Sequence, residues 1–230
     1  MFDAMLDVFF PRSCFGCGKW RQYVCKECYA SLQKDVWPEE YAGSSIAKDS
    51  AVKISRIKEY RGMFIYAENF QKLLCGAKYR PAEKAMYELI GRIRKRQREA
   101  VVRLFTQWQI DYIVPVPMHP KKLQRRGFNQ AEIFAEWLGY TTSTNVLLDL
   151  VEKSKLTHPQ ASQTKQGRKN NIREAFVMDN DIAMVIKNKR VVIVDDVITT
   201  GATLNEIATT LQAAQPKDVY GFALARNLMS

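Results

Sequence analysis

A stretch of thirteen residues near the carboxyl end constrains the fold of this 230-residue chain more than any other segment. Residues 191–203 read Val-Val-Ile-Val-Asp-Asp-Val-Ile-Thr-Thr-Gly-Ala-Thr. The β-branched apolar residues Val191 to Val194 predict a buried strand that ends at the carboxylates of Asp195 and Asp196. Apolar residues at helical spacing follow Gly201, so the stretch predicts a strand, a polar turn and the start of a helix.

The turn has the composition of a site for a phosphorylated sugar. Glycine permits close backbone approach, and the turn amides together with a helix N-terminus direct positive partial charge at an anion. Threonine hydroxyls add donors, while Asp195 and Asp196 can accept hydrogen bonds from vicinal ribose hydroxyls or help to hold a divalent cation. The alternative is a buried strand followed by an Asp-rich turn that binds nothing.

Four cysteines near the amino end form a second pattern. Cys14 with Cys17, and Cys25 with Cys28, make two Cys-x-x-Cys pairs separated by seven residues. Such pairs can complete a tetrahedral site of four thiolates, which predicts a structural zinc ion with no open coordination position. Redox-active pairs and disulfides are the alternatives. The pairs lie outside any βαβ pattern, however, and disulfides need an oxidising compartment to which no sequence signal directs the chain.

Positive charge is the feature of the composition that bears most on function. The net charge is +11, more than a polyphosphate site requires, which indicates a polyanionic partner such as single- or double-stranded nucleic acid. A solvated helix face is an equally good interpretation of the first of three basic clusters. The clusters are Arg92, Arg94, Lys95, Arg96 and Arg98; Lys121, Lys122, Arg125 and Arg126; and Lys165, Arg168, Lys169 and Arg173.

No segment of the sequence has the character of a membrane span or a signal peptide. Apolar runs stay well below the ~20 residues that a spanning helix needs. Residues Met1 to Phe10 are apolar but contain Asp3 and Asp7 and no cationic start, unlike a signal peptide. We therefore expect a cytoplasmic protein.

Strands and helices alternate along the chain, which predicts an α/β fold with a parallel sheet and ligands at the carboxyl ends of its strands. The linker is expected within Trp37 to Ser50, with a four-cysteine module over residues 1–45 and a second domain over residues 46–230. The expected strands are Lys53–Tyr60, Met63–Tyr66, Asp111–Pro117, Val191–Val194 and Val219–Ala225. The expected helices are Asn69–Ala77, Ala82–Trp108, Gln130–Leu138 and Asn205–Ala213.

Two further segments permit comparison with a known family. Residues 115–130, Pro-Val-Pro-Met-His-Pro-Lys-Lys-Leu-Gln-Arg-Arg-Gly-Phe-Asn-Gln, leave a strand, pass through basic residues and enter a helix. Residues 160–171 form a polar segment that leads to Ala175-Phe176. With the four cysteines and the Asp-Asp loop, this set resembles the ComF family of competence-associated, phosphoribosyltransferase-like proteins over nearly the whole chain. The segment Arg126-Gly-Phe-Asn-Gln130 is its most specific local mark.

The resemblance implies a type I phosphoribosyltransferase-like fold, a parallel sheet with helices on both faces, preceded by a small four-cysteine zinc knuckle. It implies binding of 5-phosphoribosyl-1-pyrophosphate (PRPP) with Mg²⁺, and a role in the uptake and processing of transforming DNA. The implied partners are single-stranded DNA and a helicase-like competence protein of the ComFA type.

The same resemblance suggests roles for individual residues. Asp195 and Asp196 match the acidic catalytic pair that serves ribose hydroxyls and magnesium, and the loop after the Asp111–Pro117 strand is the place that receives pyrophosphate. Asn129 is better interpreted as a helix cap than as a ligand. The 5′-phosphate cradle corresponds to Thr199, Thr200, Gly201, Ala202 and Thr203. Further phosphate candidates are Arg125 and Arg126, whose guanidinium forks suit phosphate oxygens, and, with weaker support, Lys78 and Arg80. Arg168 belongs to the polar segment from Thr157 to Asn171, whose counterpart in this fold closes over the substrate, although a surface loop is an equally good interpretation of that segment.

Two functions from different classes therefore remain open. One is an accessory protein for DNA uptake that uses basic surfaces for single-stranded DNA and keeps a PRPP pocket. The other is an active phosphoribosyltransferase with an unidentified acceptor. The charge surplus and the cysteine module favour the accessory protein for DNA uptake. The complete Asp-Asp loop is equally consistent with an active phosphoribosyltransferase.

Overall fold

The centre of the molecule is a five-stranded parallel sheet. The computed structural model describes residues 12–33, 56–76, 82–154 and 175–227. The sheet strands are β1 (Glu59–Ile65), β2 (Tyr112–Pro115), β3 (Asn145–Val146), β6 (Arg190–Ile198) and β7 (Asp218–Arg226), in the spatial order β1-β7-β6-β2-β3. A separate antiparallel pair joins β4 (Val151–Lys153) to β5 (Phe176–Met178).

Eight α-helices are described around these strands. They are α1 (Lys26–Gln33), α2 (Glu68–Gly76), α3 (Ala82–Gly91), α4 (Lys95–Trp108), α5 (Pro120–Arg126), α6 (Gln130–Thr142), α7 (Asn180–Ala183) and α8 (Ala202–Leu211). Short 3₁₀ turns cover Met184–Ile186 and Gln212–Ala214. Within the described ranges, no helix combines the length and apolar character needed to cross a membrane.

Helices cover both faces of the sheet because the central strand is apolar on both sides. Successive side chains of a strand point to opposite faces. Val192 of β6 packs in one hydrophobic cluster with Phe134 of α6, whereas Val191 packs in the other with Leu211 of α8. This arrangement confirms the predicted fold class, a type I phosphoribosyltransferase-like sheet with helices on both faces.

The structure differs from the predicted elements in two places before the site. The single helix expected over Ala82–Trp108 is wrong: α3 ends at Gly91, and the extended backbone of Arg94 caps a new helix, α4. The two strands expected around Arg61-Gly62 are one strand, because β1 pairs with β7 from Glu59 to Ile65. Tertiary packing determines both differences. Ile93 is buried at the break between α3 and α4, and the pairing of β1 with β7 continues through Gly62.

The described part of the four-cysteine module packs directly on α3 and α4. The backbone amides of Tyr23 and Val24 donate to Glu88 Oε2 at 2.8 and 3.0 Å. The Tyr29 hydroxyl donates to Gln97 Oε1 at 3.0 Å, and its ring meets Phe64 edge to face. The predicted boundary after residue 45 lies outside the described residues and stays a prediction.

Candidate functional site

The candidate site lies where two neighbouring strands of the sheet end. β2 and β6 run parallel from the pair Tyr112–Val191 to the pair Pro115–Val194, so their carboxyl ends meet at one edge. A cavity of ≈ 180 Å³ opens at this edge. Its walls are the loop after β2, the helix α5, the start of α6, the end of β4, and the carboxylates Asp195 and Asp196. The strand ends therefore bring cations and carboxylates from distant parts of the sequence to one site.

The two carboxylates belong to the strand itself rather than to the turn after it. β6 continues to Ile198, and Asp195 pairs with Ala223 of β7 in the ladder. Asp195 Oδ1 accepts a hydrogen bond from the Asp196 amide, and Asp196 Oδ1 accepts one from the Val197 amide, each at 2.8 Å. The strand predicted to end at Val194 is thus four residues longer, which anchors both carboxylates on the rigid sheet.

The environment of Asp195 favours its protonated form. Burial, followed by the negative charge of Asp196, raises the pKa of the Asp195 carboxyl well above its ordinary value of 3.8, while Lys153 acts in the opposite direction. Burial also raises the pKa of Glu206, whose Oε1 accepts a hydrogen bond from the Ala175 amide. A divalent cation or a ribose hydroxyl at Asp195 would stabilise the ionised carboxylate that this environment disfavours.

We therefore expect Asp195→Asn to stabilise the ligand-free chain at neutral pH. An acid with a raised folded-state pKa stabilises the fold below its ordinary pKa, and this contribution is lost as pH rises through the raised value. The melting temperature should increase by a few degrees at pH 8, since ~1 kcal/mol corresponds to about 2–4 °C in chains of 150–250 residues. Thermal denaturation at pH 5 and pH 8 measures the effect. The gain should be larger at pH 8, and a lower melting temperature there would contradict the prediction.

Three cationic side chains line the cavity: Lys122 and Arg126 from α5, and Lys153 from β4. Burial, followed by the charge of Lys122, lowers the pKa of Lys153. The sequence had placed Lys122 in a basic cluster without assigning it to the site. Lys153 was missed altogether, because only the pairing of β4 with β5 carries it to the cavity. Arg125 has an exposed side chain and is not part of the cavity lining, unlike Arg126.

The predicted phosphate cradle forms the connection between β6 and α8. Gly201 has φ 72° and is the N-cap of α8, a conformation that favours glycine. Thr199 and Thr200 are exposed, and the Ala202 amide donates to Thr200 Oγ1 at 3.4 Å. The cradle residues do not line the cavity, but they begin three residues after Asp196, where β6 ends. Lys78, Arg80 and Arg168 lie outside the described residues.

Asn129 fixes the loop after β2 to the start of α6. Its Oδ1 accepts a hydrogen bond from the Ala131 amide at 3.1 Å, which confirms the predicted role as a helix cap. Its Nδ2 donates to the carbonyl oxygen of Val116 at 3.0 Å. His119 acts similarly for α5, since its Nδ1 accepts a hydrogen bond from the Lys121 amide. Both side chains therefore shape the wall of the cavity.

Gln130 is a further site residue that the sequence did not single out. The residue is 1% exposed and lines the cavity, and its Oε1 accepts a hydrogen bond from Arg126 at 2.7 Å. Its buried Nε2 has no hydrogen-bond partner within the described parts of the chain. An unsatisfied buried donor costs about 1–3 kcal/mol. An oxygen atom of a bound ligand would supply the missing acceptor.

The four cysteines form a second candidate site, a metal centre. Their sulfur atoms all lie within 4.8 Å of one another, as ligation of one ion requires. The amides of Cys25 and Cys28 donate to Cys14 Sγ and Cys25 Sγ, each at 3.3 Å. Although burial opposes it, such backbone hydrogen bonds lower the pKa of the Cys14 thiol to about 7, whereas burial raises the pKa of the Cys25 and Cys28 thiols. The donor set fits a four-thiolate metal site.

Comparisons with known proteins agree with this geometry. The family model of the phosphoribosyl transferase domain matches residues 90–227. Competence protein F of Haemophilus influenzae is 28% identical over 218 residues, which cover 93% of this chain and 84% of that protein. Competence protein ComFC of Streptococcus pneumoniae is 33% identical over 118 residues, which cover 49% of this chain and 47% of that protein. For the latter, the aligned part is about half of each protein.

Among solved structures, a purine phosphoribosyltransferase from Pyrococcus horikoshii superimposes with a TM-score of 0.37 at 19% identity. The superposition covers 57% of this chain and 71% of that one, and a likeness at this level carries no inference.

The parallel sheet, its Asp-Asp strand end and the matched residues place the chain in the phosphoribosyl transferase domain family. Within that class, the near full-length similarity to competence protein F and the four-cysteine cluster make it a member of the ComF family.

Proposed function

We propose that this chain is a competence-associated protein that binds PRPP with Mg²⁺ and acts on single-stranded DNA taken up during transformation. The observation that carries the ligand assignment is the cavity at the ends of β2 and β6. It combines two carboxylates for a ribose or a cation with three cations for phosphate oxygens, next to the helix N-terminus of the Thr199–Thr203 cradle. A pyrophosphorylated ribose phosphate offers both kinds of group, hydroxyls for the carboxylates and phosphate oxygens for the cations.

Two metals belong to this proposal. Asp195 and Asp196 are oxygen donors of the kind that Mg²⁺ prefers, and PRPP would complete the coordination with its own phosphate oxygens. The four cysteines would hold zinc, whose tetrahedral preference fits four thiolates and leaves no open position for catalysis. The zinc site would accordingly stabilise the fold of the four-cysteine module and the surface that this module presents.

The assignment to DNA uptake draws on two independent observations. The names of the relatives describe competence proteins, and the net charge of +11 exceeds what the cavity uses. A polyanion that neutralises surface cations is the expected partner of such a chain. A helicase-like competence protein of the ComFA type is the proposed protein partner.

Transferase activity is the alternative form of the same proposal. Cations and Mg²⁺ would stabilise pyrophosphate as it leaves C1′ of the sugar, and the carboxylates would orient the ribose for attack by an acceptor. Gln130 and Lys153 would face the leaving pyrophosphate. Release of pyrophosphate from PRPP that depends on an added base or nucleotide would support turnover.

Calorimetric titration of PRPP with Mg²⁺ tests the ligand assignment. We expect micromolar affinity for the natural chain and loss of the signal without Mg²⁺. Titration with ribose 5-phosphate and with pyrophosphate separates the two ends of the ligand. If PRPP does not bind, the cavity serves another purpose and the proposal fails for this site.

Gln130→Met is expected to weaken PRPP binding by about two- to tenfold. Methionine has a similar volume, but it removes the Nε2 donor, and a neutral hydrogen bond contributes about 0.5–1.5 kcal/mol. Calorimetry should show a comparable loss for pyrophosphate and little change for ribose 5-phosphate. Gln124→Met, an exposed change on α5, is the matched control. Equal affinity of Gln130→Met and the natural chain for pyrophosphate would contradict the prediction.

A further inference from the structure

The three basic clusters of the sequence have different surroundings. The cluster from Lys121 to Arg126 supplies two of its side chains to the cavity. The cluster from Lys165 to Arg173 lies outside the described residues. The cluster from Arg92 to Arg98 occupies the junction of α3 and α4, away from the cavity lining and against the four-cysteine module. Among the described clusters, it is the one that the proposed PRPP site leaves unused.

Direct contacts join this cluster to the four-cysteine module. Arg92 donates from a terminal guanidinium nitrogen to Gln22 Oε1 at 3.0 Å. Gln22 follows Trp20 by two residues, so the backbone of Trp20 lies within about 8 Å of that of Gln22. The contact between Tyr29 and Gln97 fixes the module to α4 at a second point. These two contacts therefore hold the segment that carries Trp20 against the junction of α3 and α4.

Trp20 is held rigidly with its side chain in solvent. The residue is 72% exposed, the largest exposed fraction among the described tryptophans. The flanking backbone is fixed by hydrogen bonds from the Cys14 amide to the Lys19 carbonyl, and from the Arg21 amide to the Arg12 carbonyl. An exposed tryptophan on a fixed hairpin presents an open aromatic face, on which an unpaired base can stack.

The cations of α4 lie where they do not stabilise the helix. Arg94 is the N-cap, Lys95 and Arg96 follow, and the first turn contains no acidic residue. Positive charge at a helix N-terminus opposes the helix macrodipole. All three side chains are exposed, although Lys95 approaches Glu99 at 3.9 Å. The position of these charges favours an anionic partner over the alternative of a merely solvated helix face.

We propose that Trp20 and Arg21 of the four-cysteine module, together with Arg92, Arg94 and Arg96, form a binding surface for single-stranded nucleic acid. We call it the knuckle–helix surface. A base stacks on Trp20, and the backbone phosphates lie along the guanidinium groups. Bases in a duplex are already stacked on each other, so the aromatic face selects the single-stranded form. This inference rests on the proposed nucleic-acid role and gives it a location.

Trp20→Ala tests the stacking contact. The probe is a fluorescein-labelled oligothymidylate of about 20 nucleotides, whose binding is followed by fluorescence anisotropy. Loss of one stacked base should weaken binding by about five- to 150-fold. The dependence of affinity on salt should not change, because no charge is removed. Trp20→Phe should restore part of the affinity, and Tyr140→Ala, which removes an aromatic residue that is 88% exposed, is the matched control.

Arg94→Ala/Arg96→Ala tests the phosphate contacts. This variant should weaken binding and also reduce the slope of log affinity against log salt by about 1.4, or about 0.7 per lost contact with single-stranded nucleic acid. Lys187→Ala/Lys217→Ala removes the same charge from exposed positions just before the amino ends of β6 and β7. That control should leave the salt slope unchanged. Metal content and PRPP binding of every variant should equal those of the natural chain.

The possible results distinguish two statements: that the chain binds single-stranded nucleic acid, and that it does so at the knuckle–helix surface. If the natural chain does not bind the oligonucleotide at low salt, the proposed nucleic-acid role fails. If the natural chain binds but the Trp20 and Arg94/Arg96 variants behave like their controls, the knuckle–helix surface is wrong and the role stands. Equal affinity for a duplex of the same length would overturn the assignment to single strands.

Discussion

Asp195→Asn/Asp196→Asn is expected to abolish PRPP binding, with a loss of affinity of at least about one-hundredfold. Two ionised carboxylates would each contribute charge-assisted hydrogen bonds or metal coordination, and hydrogen bonds to charged groups are worth about 1.5–3 kcal/mol each. The amide replacements keep the shape of the strand end and remove its affinity for Mg²⁺. Calorimetry with PRPP and saturating Mg²⁺ measures the loss.

The matched control is Asp149→Asn/Asp181→Asn, which removes the same charge from exposed positions outside the cavity lining. It should bind PRPP like the natural chain, so that an effect of net charge is separated from an effect of position. The single variant Asp195→Asn should lose affinity while it gains thermal stability. This opposite response distinguishes a site residue from a structural one, since a structural carboxylate would lose both. PRPP binding by the double variant at the affinity of the natural chain would place the ligand elsewhere.

Cys14→Ser and Cys28→Ser are each expected to remove about one equivalent of zinc and to lower the melting temperature on the order of 10 °C. Loss of one thiolate opens a site whose binding energy is also folding energy, and a few kcal/mol corresponds to such a shift in a chain of this size. The effect should extend beyond the module, because Cys14 and Cys25 share a hydrophobic cluster with Phe64 of the central sheet. Metal analysis and thermal denaturation of the purified variants check both parts.

Ser13→Ala is the control for the cysteine variants, since it changes an exposed neighbour of Cys14 that is not a candidate ligand. It should keep its metal and its melting temperature. Purified natural chain without bound zinc, or a Cys28→Ser variant with unchanged stability, would contradict a structural metal site. The same variants also bear on the knuckle–helix surface, because loss of the metal should loosen the hairpin that presents Trp20.

Local patterns were sufficient to predict a large part of this molecule. The run from Val191 to Gly201 encodes a buried strand, a turn and a helix start within a few neighbouring residues, and the structure confirms the order. The cap at Asn129 was equally predictable, because a capping side chain bonds to an amide two residues away. The cysteine spacing predicted a cluster of four sulfur atoms, which the structure also confirms.

Local patterns failed where distant neighbours decide the outcome. The continuous apolar periodicity from Ala82 to Trp108 gave no sign of the break at Arg92–Arg94, which depends on packing of Ile93 and on the docked module. The extension of β6 through Asp195 and Asp196 depends on pairing with β7, a strand more than twenty residues further along the chain. Neither partner is visible in the local sequence.

The sequence by itself thus determined the class of protein, since the strand, the Asp-Asp pair and the glycine turn are contiguous and their chemistry is local. It also determined the set of candidate metal ligands, because two short spacings specify the four cysteines. Only the tertiary structure decided which cations join the carboxylates. Lys153 reaches the cavity through an antiparallel strand pair. Gln130 accepts a hydrogen bond from Arg126 at its oxygen, and its Nε2 has no partner among the described residues. Likewise, the packing of the module on α3 and α4 brings Gln22, two residues after Trp20, into contact with Arg92, a residue seventy positions away in the sequence.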